Sequence, residues 1–304
     1  MPPVNLIILT LTNLITLSYL APVNLSMVVT VYFLALRGAV CYSASILTNP
    51  LKKELISMQR TAQQRLWEID LARGTALILM IIYHLLYDLS VFFNFDIAYN
   101  HGIFYLLGKV AATLFILVAG LSSSFSKNNT TRGLKLIGWG CVIYLVTSIA
   151  VPGSNIVFGI LQFLGVCLLL YPVVKNISPY ILVGIGAAVM LGGEFTASLS
   201  ISHNWLVPLG FRTPGFASVD YFPLIPWWGV FLWGIALSKL VYPQKKGLIK
   251  SNSKLLKLVA AAGRHTLFIY LLHQPVLLAA LYLIFDPAGF FNLLTSNSSG
   301  STVH

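Results

Sequence analysis

Apolar residues run along this chain in blocks long enough to cross a bilayer, separated by short polar breaks. A spanning helix needs about 20 mostly apolar residues. The stretches 68–93, 103–123, 134–150, 156–174, 180–193, 220–241 and 258–284 meet or approach that length. They predict seven core spans from residue 68, of which the Gly-rich 180–193 is the shortest. Ahead of them, residues 4–48 are apolar with breaks at Pro22 and Arg37, room for one or two further helices. No basic segment precedes that run, which argues against a cleaved signal peptide. The chain shows no internal repeat and no alternation of the kind a membrane barrel needs. The expected fold class is therefore all-α, a polytopic membrane helix bundle.

Composition points the same way. Hydrophobic residues make up 57% of the 304 and charged residues only 9%, against about 25% charged in a soluble domain. So few charges cannot wet a soluble particle of this size, which excludes a soluble enzyme, a disordered chain and a nucleic-acid module. The net charge of +11 would suggest nucleic acid in a soluble chain; in a membrane protein it reads as basic loops held on the cytoplasmic face. The breaks bear this out by alternating. Segment 49–67 carries Lys52, Lys53, Arg60 and Arg65; 124–135 carries Lys127, Arg132 and Lys135; 175–179 has Lys175; and 239–257 holds six lysines. The loops between them, 94–102, 151–155 and 194–219, contain only Arg212 as a basic residue. The expected topology puts the basic loops in the cytoplasm, the Ser/Asn-rich C-terminal tail outside, and the protein in the plasma membrane.

Ionisable groups inside spans are costly unless paired or wet, so they are candidates for function. The first core span, RLWEIDLARGTALILMIIYHLLYDLSVFF, is the densest case. At about 100° per residue, Asp70, Arg73, His84 and Asp88 fall on one stripe roughly 60° wide, with Glu68 away from it. Such a stripe must face protein or water. Asp70 and Arg73, three apart at the start of the helix, fit an ordinary ion pair or cap as well as a ligand-positioning pair. His84 and Asp88, one turn apart, fit a base whose tautomer the carboxylate fixes, or a satisfied core histidine. His84 lies roughly 24 Å from the cytoplasmic start of the helix, in the outer half of the bilayer.

Other groups repeat the theme. His101 stands in an outer loop beside Gly102, and Lys109 lies inside the following span. Asp220 precedes Pro223, Pro226 and the Trp227–Trp228 pair, aromatics that suit either an interfacial belt or a pocket wall. The last span, GRHTLFIYLLHQP, holds Arg264, His265, His273 and Gln274. Cys41, Cys141 and Cys167 are far apart and lack metal-ligand spacing, so they read as packing residues. HExxH, CxxC, GxxxxGKS and GxGxxG are all missing, which disfavours metal, ATP and dinucleotide chemistry. AGLSSSF at 119–125 suggests an intramembrane serine protease only weakly, since no histidine is near in sequence.

The run RLWEIDLARGTALILMIIYHLLYDL resembles the opening signature of the heparan-alpha-glucosaminide N-acetyltransferase catalytic-domain family, in its prokaryotic branch. More distantly it is similar to the acyltransferase-three family. In the latter an Asp-x-x-Arg motif is followed, fourteen residues after the Asp, by an essential His, which places Asp70, Arg73 and His84 in the matching positions. In the lysosomal member an Asn takes the place of that His, and a histidine in the next lumenal loop is implicated; His101 is a near match to it. DYFPLIPWWGVFLWGI and GRHTLFIYLLHQP also look like late motifs of the family. The resemblance covers about 65 to 284. It divides the chain into an N-terminal extension (1–57), an acyltransferase-like domain (58–286) and a polar tail (287–304).

The resemblance implies an acyltransferase that moves an acyl group, typically acetyl, from cytoplasmic acyl-CoA to an amino or hydroxyl group of a sugar or glycolipid at the outer face. It needs acyl-CoA as co-substrate and no metal. His84, Asp88 and His101 are the expected catalytic residues. Asp70, Arg73, Arg264 and His265 are expected near the acyl-CoA, and Asp220, Trp227 and His273 near the acceptor. Asp88, His84, Lys109 and His273 also suit a proton-coupled carrier using a His/Asp relay, although carriers often show inverted repeats, and none is found here.

Overall fold

The structure is a computed structural model that describes residues 66–150, 156–201, 204–216, 218, 220–244, 246–247 and 253–287. The apolar 4–48 segment, the basic residues 49–65 and the 288–304 tail lie outside the described residues. The described residues are almost wholly helical. The helices are α1 (Trp67–Phe93), α2 (Gly102–Ser123), α3 (Asn129–Ala150), α4 (Ile160–Val174), α5 (Pro179–Ser198), α6 (Leu224–Val241), α7 (Lys254–Arg264) and α8 (Thr266–Phe285). Five of them, α1, α2, α5, α6 and α8, are long and apolar enough to cross a membrane.

The chain divides into two compact units. One takes in residues 66–144 and 153–273, and with them every candidate site residue named above. The other includes residues 145–152 and those from 274 on, where Leu278 and Leu281 are buried.

Helix positions follow the apolar blocks, with two differences. The 180–193 block extends to a full helix, α5, started by Pro179 after Ser178, where a proline needs no N–H partner. The 258–284 block is not one span. It breaks at His265 into α7 and α8, where Thr266 Oγ1 turns back to the Gly263 carbonyl at 2.5 Å. The α7 sequence, KLLKLVAAAGR, mixes lysines with leucines and cannot run through lipid as a spanning helix does. It instead lies against α1.

The core of the larger unit is built from α2, α4, α5 and α6, with Ile116, Phe163, Leu182, Phe231, Leu232 and Ile235 fully enclosed. Cys167 is buried among them, whereas Cys141 is exposed. Without a hydrophobic drive between helices in lipid, close backbone contact through small residues does the work. Gly120 and Gly234 meet where α2 crosses α6. A Cβ on Gly120 would fall 2.2 Å from the Phe231 carbonyl oxygen, and one on Gly234 2.1 Å from that of Leu117. Gly186 and Gly229 repeat the arrangement between α5 and α6. Gly120→Leu is expected to destabilise the unit by about 1–3 kcal/mol or more, read as a lower thermal midpoint in detergent. An unchanged midpoint would contradict the crossing.

The basic breaks converge at one end. Leu66, just before α1, and Ile69 and Ala72 of α1 pack with Leu121 and Phe125 at the end of α2 and with Leu237 and Tyr242 at the end of α6. Lys239 Nζ donates to the Ile177 carbonyl, tying in the Lys175 turn. At the opposite end, the loops poor in basic residues are stitched together: Phe222 N–H donates to the Phe158 carbonyl at 3.1 Å, and Val157 N–H to Ser218 Oγ at 3.0 Å.

Candidate functional site

The stripe on α1 faces protein, as its composition demands. Asp70, Leu77 and Asp88 are buried, and Arg73 and His84 half-buried. Glu68, off the stripe, is buried too, at the α6–α7 connection beside Gly247. In the first turns Arg73 Nη1 donates to Asp70 Oδ1 at 2.8 Å, the ion pair that i, i+3 spacing permits. Asp70 also lies near the positive start of its helix.

Two more elements meet this pair. A Cβ on Gly263 would lie 1.8 Å from the Asp70 carbonyl oxygen, and one on Gly74 2.1 Å from that of Val259. The end of α7 therefore rides directly on the first turns of α1, and exposed Arg264 and His265 follow at once in sequence. From the other side, Asn129 Nδ2 donates to the Ser123 carbonyl at 2.8 Å, and Asn129 Oδ1 accepts from Arg132 Nη1 at 3.3 Å. Arg132 comes close enough to Arg73 for their charges to repel. Ser124 Oγ, at the end of α2, is buried without a partner among the described residues. Nothing in its sequence context sets Arg132 apart from the other loop cations; its distinguishing feature is the α2–α3 turn that folds it back.

Further along α1, His84 Nδ1–H donates to the Met80 carbonyl at 3.0 Å. A backbone carbonyl, and not the expected Asp88 carboxylate, thus holds that nitrogen and leaves the lone pair on Nε2. Asp88 is wholly buried one turn on. Across from His84 stands His273 of α8, ring centroids 4.8 Å apart and planes at 84°. His273 neighbours Tyr270, 5.4 Å between rings, which stacks on Phe115 of α2 and feels the charge of Asp220. Tyr270 escaped sequence analysis because it sits in an unbroken apolar run, though its place three residues before His273 puts it on the same side of the helix.

Asp220 does not serve the helix that follows it. Its Oδ2 accepts from Ile160 N–H at 3.1 Å, sixty residues away, and so caps the start of α4. Burial pushes its carboxyl up to about 6, and the Ile160 hydrogen bond partly offsets that rise. With a folded value above the usual one, the folded state holds this proton more tightly than the unfolded state. The associated stability is full below about pH 4 and is lost as pH rises through about 6. Asp220→Asn, which keeps an oxygen for Ile160, is expected to flatten the fall in thermal midpoint between pH 4 and 7. An unaltered pH dependence would rule out this carboxyl as its source.

Two candidates stand elsewhere. His101 is exposed at the start of α2, its Nδ1 2.6 Å from Asn100 Oδ1. The loop before it folds back on α1, with the Tyr99 ring 5.0 Å from Tyr87. Trp227 belongs to a separate aromatic group. Lys109 Nζ lies 5.5 Å from its ring and 5.2 Å from that of Tyr105, and Phe222 packs on it at 5.0 Å. Among the described residues no group of three or more His, Cys, Asp and Glu is placed to hold a metal.

The larger unit therefore offers a cationic cluster at its basic end, and beyond it an imidazole pair whose Nε2 atoms make no hydrogen bond among the described residues. No curated protein and no solved structure matches the chain. Residues 65–275, however, match the family described as "Heparan-alpha-glucosaminide N-acetyltransferase, catalytic", a stretch that contains both clusters and all seven helices from α1 to α7. The chain belongs to this family of membrane acetyltransferases.

Proposed function

We propose that this protein transfers an acetyl group from acetyl-CoA, bound at the basic end, to an amino or hydroxyl group of a sugar or glycolipid that arrives from the opposite face. The single observation that carries this reading is the pairing of His84 with His273 on a helix whose first turns hold the Asp70–Arg73 pair. Arg73, Arg132 and Arg264 are suited to phosphates, since guanidinium donors match phosphate oxygens, and His265 and the orphaned Ser124 hydroxyl add donors. Asp70 fixes Arg73 in place. From Arg73 to His84 is about 17 Å along the helix at 1.5 Å per residue, a distance the extended pantetheine arm of the donor would span.

His84 acts as general base. Its Nε2 takes the proton of the acceptor as the acceptor's oxygen or nitrogen attacks the thioester carbon. Asp88, buried one turn away, stabilises the imidazolium so formed. Asp220, His273 and Trp227 shape the acceptor side, and His101 sits at its rim. The basic loops face the cytoplasm of a cell whose plasma membrane holds the protein. Purified protein in detergent, given acetyl-CoA labelled in the acetyl group and glucosamine or a glycolipid extract, should release CoA and label the acceptor. A carrier with a His/Asp relay would do neither.

Arg132 gives a more local test. Arg132→Ala is expected to raise KM for acetyl-CoA at least about tenfold, one charge-assisted phosphate contact being worth about 1.5–3 kcal/mol, with kcat little changed. An unaltered KM would remove Arg132 from the donor site.

A further inference from the structure

His84 and His273 come from α1 and α8, yet their Nδ1 atoms are held in the same way. Each gives Nδ1–H to a carbonyl of its own helix, Met80 at 3.0 Å and Tyr270 at 2.5 Å. A carbonyl only accepts, so in both neutral rings the lone pair lies on Nε2. His273 is only 9% exposed, and its Nε2 has no hydrogen-bond partner among the described residues. A buried lone pair left unmatched costs about 1–3 kcal/mol, and such an atom asks for an explanation in function. The nearest ring is that of His84, edge-on at 4.8 Å.

Resting on the acyl-transfer reading above, we propose that His84 and His273 act as one proton-holding pair, so that His273 is a positioning partner of the base and not simply a wall of the acceptor pocket. The acceptor's O–H or N–H bond breaks, its proton passes to His84 Nε2, and its electron pair forms the new bond to the thioester carbon. The C–S bond breaks with its electrons on sulfur. The pair, sharing the proton between two Nε2 atoms, returns it to the thiolate and both rings end neutral. No oxidant or further reactant is needed. Two imidazoles this close take up a second proton less easily than a first, because the charges repel.

Among the described residues the titratable groups around the pair are Tyr83 on α1, with buried Asp88 one turn on, and Tyr270 on α8, with Asp220 acting on Tyr270 from the loop before α6. α2 contributes the uncharged Phe115 ring. None of these duplicates a second imidazole, so removing one ring should be visible at the other.

The test is nitrogen-15 NMR of the purified full chain in detergent, labelled at histidine. In the unaltered protein the two rings should titrate together in two steps more than about one pH unit apart. In His273→Gln, His84 should show a single step displaced from both, and in His84→Gln the same should hold for His273, so that failure of one variant to fold still leaves a readout. Acetyl transfer by His273→Gln should fall at least about tenfold in kcat, with KM for acetyl-CoA unchanged and one limb of the pH profile lost. Rings that titrate independently, unmoved by loss of the other, would overturn the pair. The parent reading fails separately: it falls if His84→Ala transfers acetyl at the unaltered rate, whatever the NMR shows.

Discussion

His84→Ala is expected to remove most acetyl transfer, about 10²–10⁴-fold in kcat, because that is what a positioned base contributes. The residue is half-buried and among the described residues its side chain bonds only to a carbonyl of its own helix, so its loss should leave the helix and the thermal midpoint nearly unchanged. KM for acetyl-CoA should also stay near its original value, since the donor's phosphates would be held at the other end of α1. Loss of activity together with folding would mark His84 as structural, and full activity would remove it from the chemistry.

Gly263→Val is expected to have the second largest effect, through geometry instead of chemistry. With 1.8 Å between the new Cβ and the Asp70 carbonyl oxygen, α7 must lift away from α1. Overpacking of this kind costs about 1–3 kcal/mol, occasionally more. The displacement carries Arg264 and His265 away from Asp70 and Arg73. Weaker binding of acetyl-CoA, read as a rise in KM of at least about tenfold, should accompany a lower thermal midpoint. Gly263→Ala should show the same pattern in milder form. A variant that loses stability but keeps its KM would separate the α7 contact from donor binding.

Most of the fold was legible in the chain because lipid imposes a simple rule: uninterrupted apolar length becomes helix. The rule failed at His265, where apolar residues continue on both sides but lysines at 254 and 257 and Gly263 favour a short helix lying on α1. The polar stripe was equally legible, since one period places Asp70, Arg73, His84 and Asp88 together. What periodicity cannot report is contact between helices. It gave no sign that Met80 rather than Asp88 would hold the His84 ring, that Asp220 would cap a helix sixty residues before it, or that Arg132 would reach Arg73. His273 was visible as a buried ionisable group; its direct ring contact with His84 joins residues 189 apart in the chain, which no local pattern reports.

The break at His265 leaves a short arm and a long arm on either side of one joint. The short arm is clamped to α1 beside the Asp70–Arg73 pair, and the long arm bears the His273 ring eight residues on, about 12 Å along a stiff helix. Under the proposed reading, the donor's seat on the short arm and the partner of the base on the long arm are therefore joined by one backbone stretch, from Arg264 to His273.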